Sequence, residues 1–233
     1  MITNLKEFIK GELIGWTKID KLWLYLSTII ILGVSIYWKD SIIGILSALT
    51  GVWYTILTGK GKRSAFIFGL FNVLFYSYIS YNAKYYGEVM LNMLYYLPMN
   101  FVGWFAWKKH MNKETGEVEK QHLSKKNSVI MYLLTVVGIF IYGYFLKLLK
   151  GNFPFVDSMS TVISVTAQVL AIKRLTEQWI LWIIVNSVSV VMWGLEFSKG
   201  NENIATMLMW GIYLLNGIFM YFRWSKESKN KIV

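Results

Sequence analysis

The chain has 233 residues, 55% of them hydrophobic, with no cysteine and a formal net charge of +11. Without cysteine, disulfides and thiolate metal sites are excluded. The basic charge does not read as a nucleic-acid footprint: the lysines fall between apolar blocks of about 20 residues, the length that crosses about 30 Å of hydrocarbon, so they read as membrane orientation signals.

The first segment repeats apolar residues at helical spacing (Ile2, Leu5, Phe8, Ile9, Leu13 and Ile19) beside Lys6, Lys10 and Lys18. This pattern predicts a short interfacial helix on the cytoplasmic face. The first long apolar block begins late and no small-x-small site follows it closely, so a cleaved signal peptide is not expected. Eight spans are predicted, at 22–38, 41–59, 64–83, 88–107, 128–149, 157–173, 178–197 and 204–224. With both termini inside, 19 Lys and Arg fall on the cytoplasmic side and five (Lys39, Lys84, Lys147, Lys150 and Lys199) on the other. That split obeys the positive-inside rule, and dropping one span would scramble it. The loop 108–127 is polar and reads as a solvated linker between halves.

An internal repeat is visible when the chain is slid by 114 residues. Spans 2–4 then fall on spans 6–8 without a gap, Asn72 on Asn186, Gly103 on Gly217, and Glu88 on Glu202. A polar stripe at Ser47, Thr50 and Tyr54 falls on Thr161, Ser164 and Gln168. One additional span separates the two triplets, which makes them parallel, a known transporter plan. The expected fold is therefore an all-α integral membrane protein of eight transmembrane helices. Two parallel three-helix bundles are joined by one linking helix, and an extra helix precedes them. The predicted divisions are 1–40 (interfacial helix and extra span), 41–110 (first bundle), 111–150 (cytoplasmic loop and linking span), 151–224 (second bundle) and 225–233 (cytoplasmic tail).

Polar groups in hydrocarbon are costly unless they face a cavity or a partner helix. Asn72, Asn100, Asn186, Asn216 and Gln168 are the amides in need of such a partner; Ser47, Thr50, Tyr54, Thr161, Ser164 and Ser189 accompany them. Serines and threonines often bond only to their own helix. Trp182 lies one helical turn before Asn186, and an indole beside an amide suits a flat heterocycle. Trp53 and Trp193 also lie inside spans and are candidates for the same role or for plain packing. Trp104, Trp107 and Trp224, at cytoplasmic ends, read as interfacial anchors.

No Asp, Glu, Lys, Arg or His lies in the middle of a span. Ion-coupled carriers place a titratable group there, so the pattern favours facilitated diffusion. An unphosphorylated solute follows, because a phosphate would want Arg or Lys in the cavity. No acid, base or nucleophile set suggests an enzyme, and no catalytic residue, metal site or cofactor is expected.

The stretches "DSMSTVISVTAQVLAIKRLTEQWILWIIVN", "MLMWGIYLLNGIFMYFRW" and "GWFAW" (103–107) resemble the PnuC family of nicotinamide riboside transporters. The resemblance covers roughly 41–224 and is most specific at Glu177-x-Trp179-x-x-Trp182-x-x-x-Asn186, preceded by Gln168. It implies a fold like the SWEET sugar transporters, a homotrimer in the lipids of the cytoplasmic (inner) membrane, and uptake of the vitamin B3 precursor nicotinamide riboside for NAD biosynthesis. It also implies trapping by a cytosolic nicotinamide riboside kinase, with Trp182 stacking the nicotinamide ring and Asn186 bonding its carboxamide or ribose. Two other readings stay open at this point: a facilitator of another small neutral solute such as a sugar or nucleoside, and a non-transporting membrane scaffold.

Overall fold

The computed structural model describes residues 2–149, 154–200 and 204–233. Lys150 and Glu202, which entered the charge count and the repeat, lie outside the described residues, as does the side chain of Ile2. The fold is all-α. α1 is Ile2–Leu13 and α2 Lys18–Tyr37. α3 is Ile42–Lys60 and α4 Ala65–Asn82. α5 (Tyr86–Met90) runs through a π-helical turn (Leu91–Tyr96) into α6 (Leu97–Lys108). α7 is Lys125–Leu148, α8 Pro154–Ile172, α9 Gln178–Ser198 and α10 Ile204–Glu227.

Helix ends follow local chemistry. Thr17 caps α2 in a reciprocal box with Asp20, and Ser41 accepts from the Gly44 amide at the start of α3, each satisfying amides that have no partner within the helix. α3 stops at Gly61, whose left-handed φ of 78° costs glycine nothing. The π-helical turn precedes Pro98, which lacks an N–H and crowds the carbonyl four residues back.

By length and composition, α2, α3, α7, α8, α9 and α10 can each cross a membrane. The other two expected spans coincide with the 18-residue, tyrosine-rich α4 and with the run from α5 to α6 that the π-helical turn divides. α7 leaves Leu133, Leu134, Phe140 and Ile141 exposed, as a helix facing lipid does.

The described chain forms two compact units. The first comprises Met1–Glu119 and Asn186–Asn216, the second Lys120–Val185 and Gly217–Val233, so α9 and α10 each contribute to both. The first has its core at Ile31, Ala48, Val52, Ile56, Trp193 and Met209. The second packs Ile163, Ala167, Leu170, Leu175, Leu181 and Val185. Within it α7 lies against α8: Ser158 Oγ donates to the Ile139 carbonyl at 2.7 Å, and Gly143 makes room for the Phe155 ring.

Three features of the structure correct the sequence reading. The first concerns the repeat register. Gly61 closes α3 with a left-handed φ, and Arg174 does the same after α8 with φ 64°. The next amide reaches back five residues in each case, Lys62 N to Leu57 O at 2.8 Å and Leu175 N to Leu170 O at 2.9 Å. Five residues beyond the left-handed position stand Phe66 and Trp179, both buried, edge-on to Trp107 (4.9 Å) and Trp224 (5.6 Å). Each of these matches between α3–α4 and α8–α9 is 113 residues apart, one short of the gapless slide, whereas Trp107 and Trp224 are 117 apart. Backbone geometry therefore pairs Asn72 with Val185 and Asn186 with Val73, not the two asparagines with each other. Gly69 stands where Trp182 does.

Second, Trp107 and Trp224 are not interfacial anchors. Both are fully buried, because each indole is the partner of an aromatic ring on the helix packed against it. Third, the segment 108–127 is not simply solvated. Val118 and Lys120 are buried; Val118 N donates to Gly61 O at 2.8 Å, and Gln121 N donates to Arg174 O at 2.9 Å. The segment carries the partners that the two helix turns require.

Candidate substrate-binding residues

In the first unit, Tyr54, Asn72 and Asn100 gather where α3 and α4 lack side chains, at Gly51 and Gly69. A Cβ at Gly51 would collide with Asn72 Nδ2, Met209 Sδ and Tyr213 Oη. One at Gly69 would strike Asn100 Oδ1 and Tyr54 Cδ2. These two glycines let polar groups sit against helix backbone. Asn72 Nδ2 donates to Ser47 O at 2.9 Å and approaches Met209 Sδ at 3.6 Å, which ties α4 to α3 and α10. Asn100 Nδ2 donates to Tyr96 O at 2.9 Å, while its Oδ1 is buried with no hydrogen-bond partner.

Trp53 donates from Nε1 to Thr28 Oγ1 on α2 at 3.0 Å and lies 5.0 Å from the Phe68 ring. Trp193 is fully buried and donates to Tyr76 Oη at 3.1 Å. Asn216, a further intramembrane amide, is saturated: Nδ2 bonds Thr55 O at 3.0 Å, and Oδ1 accepts from Trp23 Nε1 at 3.2 Å. It holds α2, α3 and α10 together.

In the second unit, α8 carries Thr161, Ser164 and Gln168 on one face by their spacing. Thr161 is half-buried, and Ser164 and Gln168 are buried. Trp182 is half-buried against the core formed by α8 and α9, whereas Trp179 is buried against Trp224. The two indoles on the α9 stripe thus separate into a packing residue and a partly open one. One turn beyond Trp182 on α9, where the helix passes into the first unit, Asn186 is 3% exposed, and its Oδ1 has no hydrogen-bond partner. An orphaned buried amide oxygen costs about 1–3 kcal/mol, and Asn186 Oδ1 shares that condition with Asn100 Oδ1 of the first unit.

Among the described residues, no group of three His, Asp or Glu side chains is placed to hold a metal. Tyr213 and Met209, which the sequence reading did not single out, join Asn72 at Gly51; the small residue opposite them was the available signal.

These observations define a polytopic helical membrane protein with amides and indoles in its spans. A family model described as "Nicotinamide mononucleotide transporter" matches residues 41–226, and the chain belongs to that family. It is 38% identical over 226 residues to the "Nicotinamide riboside transporter PnuC" of Neisseria mucosa, covering 94% of this chain and 86% of the relative. The Haemophilus influenzae protein of the same name is 33% identical, covering 95% and 96%. A solved structure described as "Crystal structure of the Vitamin B3 transporter PnuC" superposes with a TM-score of 0.87 at 38% identity, covering 96% of this chain and 98% of that one.

Proposed function

We propose that this chain carries nicotinamide riboside across the cytoplasmic membrane by facilitated diffusion, with both termini in the cytoplasm. The observation that carries the reading is the unpartnered Asn186 Oδ1 one helical turn from the half-open Trp182. The indole would stack the nicotinamide ring, and its face stabilises the pyridinium charge by roughly 0.5–2 kcal/mol without a buried carboxylate. The amide oxygen would accept from the carboxamide or a ribose hydroxyl. Gln168, Ser164 and Thr161 would supply further polar contacts from α8. The names of the relatives support this substrate.

The family description names the mononucleotide instead. A phosphate needs Arg or Lys beside it, and no span carries one at its middle. The buried cations among the described residues, Lys60, Lys62, Lys120 and Arg174, stand at helix ends and loops and are already engaged: by Asp20 and Glu117, by backbone carbonyls, by Glu227, and by Gln121 Oε1 at 3.4 Å. The unphosphorylated riboside is the better fit.

The proposal includes eight crossings arranged as two parallel three-helix bundles with a linking helix, a SWEET-like plan, and assembly as a homotrimer. Because a facilitator cannot concentrate its solute, a cytosolic nicotinamide riboside kinase would trap it and feed NAD synthesis. Uptake into proteoliposomes tests the reading. Radiolabelled nicotinamide riboside should equilibrate with no imposed gradient and without sodium or proton dependence. Accumulation driven by a pH or sodium gradient, or no uptake at all, would contradict it.

A further inference from the structure

A second site candidate lies outside the spans, in the first unit. A cavity of about 420 Å3, within the size range of small-molecule sites, opens between α1, the α3–α4 turn, the end of α6 and the loop that follows. Its lining carries four cations (Lys10, Arg63, Lys108 and Lys113) against two carboxylates, Glu7 and Glu12. Glu12 is already engaged: it accepts from Ser64 N at 3.2 Å and from Ser64 Oγ. Among the described residues, Lys10, Lys108 and Lys113 form no ion pair.

The cavity is built in advance. Lys62 is fully buried, and its ammonium donates to the carbonyls of Gly11 (2.7 Å), Ile14 (2.8 Å) and Gly116 (2.9 Å). Those three residues line the cavity, so one cation fixes opposite walls. Gly116, at φ 62°, abuts the Gly11 carbonyl so closely that a Cβ could not fit. Arg63 is clamped with its guanidinium 4.0 Å from the Trp104 ring and 4.8 Å from Phe8. Its Nε is buried with no acceptor. Burial pulls the Arg63 guanidinium below its ordinary pKa, partly opposed by the nearby Glu12 carboxylate.

A preformed pocket with surplus, unpaired positive charge suits a phosphate group. We propose that this cavity binds a phosphate-bearing ligand on the cytoplasmic face. The orientation is borrowed from the reading above; the site is not the transport site. Its neighbourhood favours a soluble phosphomonoester, such as the phosphorylated form of the transported nucleoside. α1 exposes Leu5, Ile9 and Leu13 along one stripe, the face for the bilayer. Glu7 and Gly11, which line the cavity, are on the opposite face by helical spacing. A lipid headgroup offers the same chemistry and is the other source to test.

The experiment uses the full-length protein in detergent and in nanodiscs. Ribose 5-phosphate and inorganic phosphate, which carry no nicotinamide, are titrated by calorimetry. In parallel, retention of phosphatidylglycerol over phosphatidylcholine is read by native mass spectrometry. The expected result is binding of ribose 5-phosphate, competed by inorganic phosphate and weakened at least about tenfold in Lys10→Gln/Lys113→Gln, two solvent-side changes that leave the Lys62 and Arg63 framework intact. Retention of phosphatidylglycerol that the same variant abolishes would support the phosphate site and assign it to lipid. Nicotinamide riboside binding should be unchanged in this variant, which separates failure here from failure of the transport reading. Absence of both ligands, or binding that the double substitution leaves intact, overturns the proposal.

Discussion

The α3–α4 turn and the α8–α9 turn share a backbone and differ in almost every side chain that matters. Both close with a left-handed residue, both reach back five residues for the next hydrogen bond, and both receive an amide from the 108–124 segment. At the position after the left-handed residue, one has the buried cation Lys62, bonded to carbonyls, and the other has the core residue Leu175. Where the second helix begins, one has Ser64, bonded to Glu12. The other has the buried carboxylate Glu177, which accepts from Leu123 N at 2.9 Å and lies 3.1 Å from His122 Nδ1. Further along, Gly69 on α4 corresponds to Trp182 on α9. A repeated backbone thus fixes the frame, while the side chains built on it differ, so the substrate contacts proposed for α9 have no counterpart on α4. The turn of the first repeat is given over to holding α1.

The largest expected effect breaks this comparison at its most unlike position. Lys62→Met strips the buried ammonium from its carbonyls and should lower stability by about 1–3 kcal/mol for each carbonyl left without a donor, read as a large drop in the thermal midpoint in detergent. Leu175→Met at the matched position should cost less than about 1.5 kcal/mol. Equal shifts would mean that Lys62 does not organise the turn.

The next effect concerns the two asparagines, which are not repeat partners. Asn186→Ala should weaken nicotinamide riboside binding by about 1–2 kcal/mol, the range for one hydrogen bond to a ligand, with little change in stability. Asn72→Ala should do the reverse, because Asn72 Nδ2 is used within the protein. Paired calorimetric titrations and melting curves distinguish the two patterns; identical losses of binding would show that both asparagines contact the ligand. Smallest is Trp193→Phe. It removes the bond to Tyr76 Oη and should destabilise by about 1 kcal/mol while leaving binding within about threefold. A binding loss as large as that of Asn186→Ala would place Trp193 on the ligand.

What was legible in the sequence was what hydrophobic periodicity controls. The α3, α8, α9 and α10 boundaries fall close to the predicted spans, and α1 shows the expected apolar stripe. The intramembrane amides were also visible, since their cost in hydrocarbon singles them out by type. Three things were not. The repeat register depends on a left-handed Arg174 that no composition rule expects in a place where the first repeat uses glycine. The burial of Lys62 depends on carbonyls more than 45 residues away in sequence, which single-chain periodicity does not see. Trp107 and Trp224 sit at helix ends with the composition of interfacial anchors, and only their ring partners, Phe66 and Trp179, show that they are core.

The account turns on α9 presenting Trp182 and Asn186 to the substrate. Titration of nicotinamide riboside into purified protein, wild type against Trp182→Ala, tests this most directly. Loss of one stacking platform is worth about 1–3 kcal/mol, so the predicted result is an affinity roughly 5–150-fold weaker in a variant that elutes and melts as a folded protein. A folded Trp182→Ala protein that binds nicotinamide riboside as tightly as wild type would contradict the account.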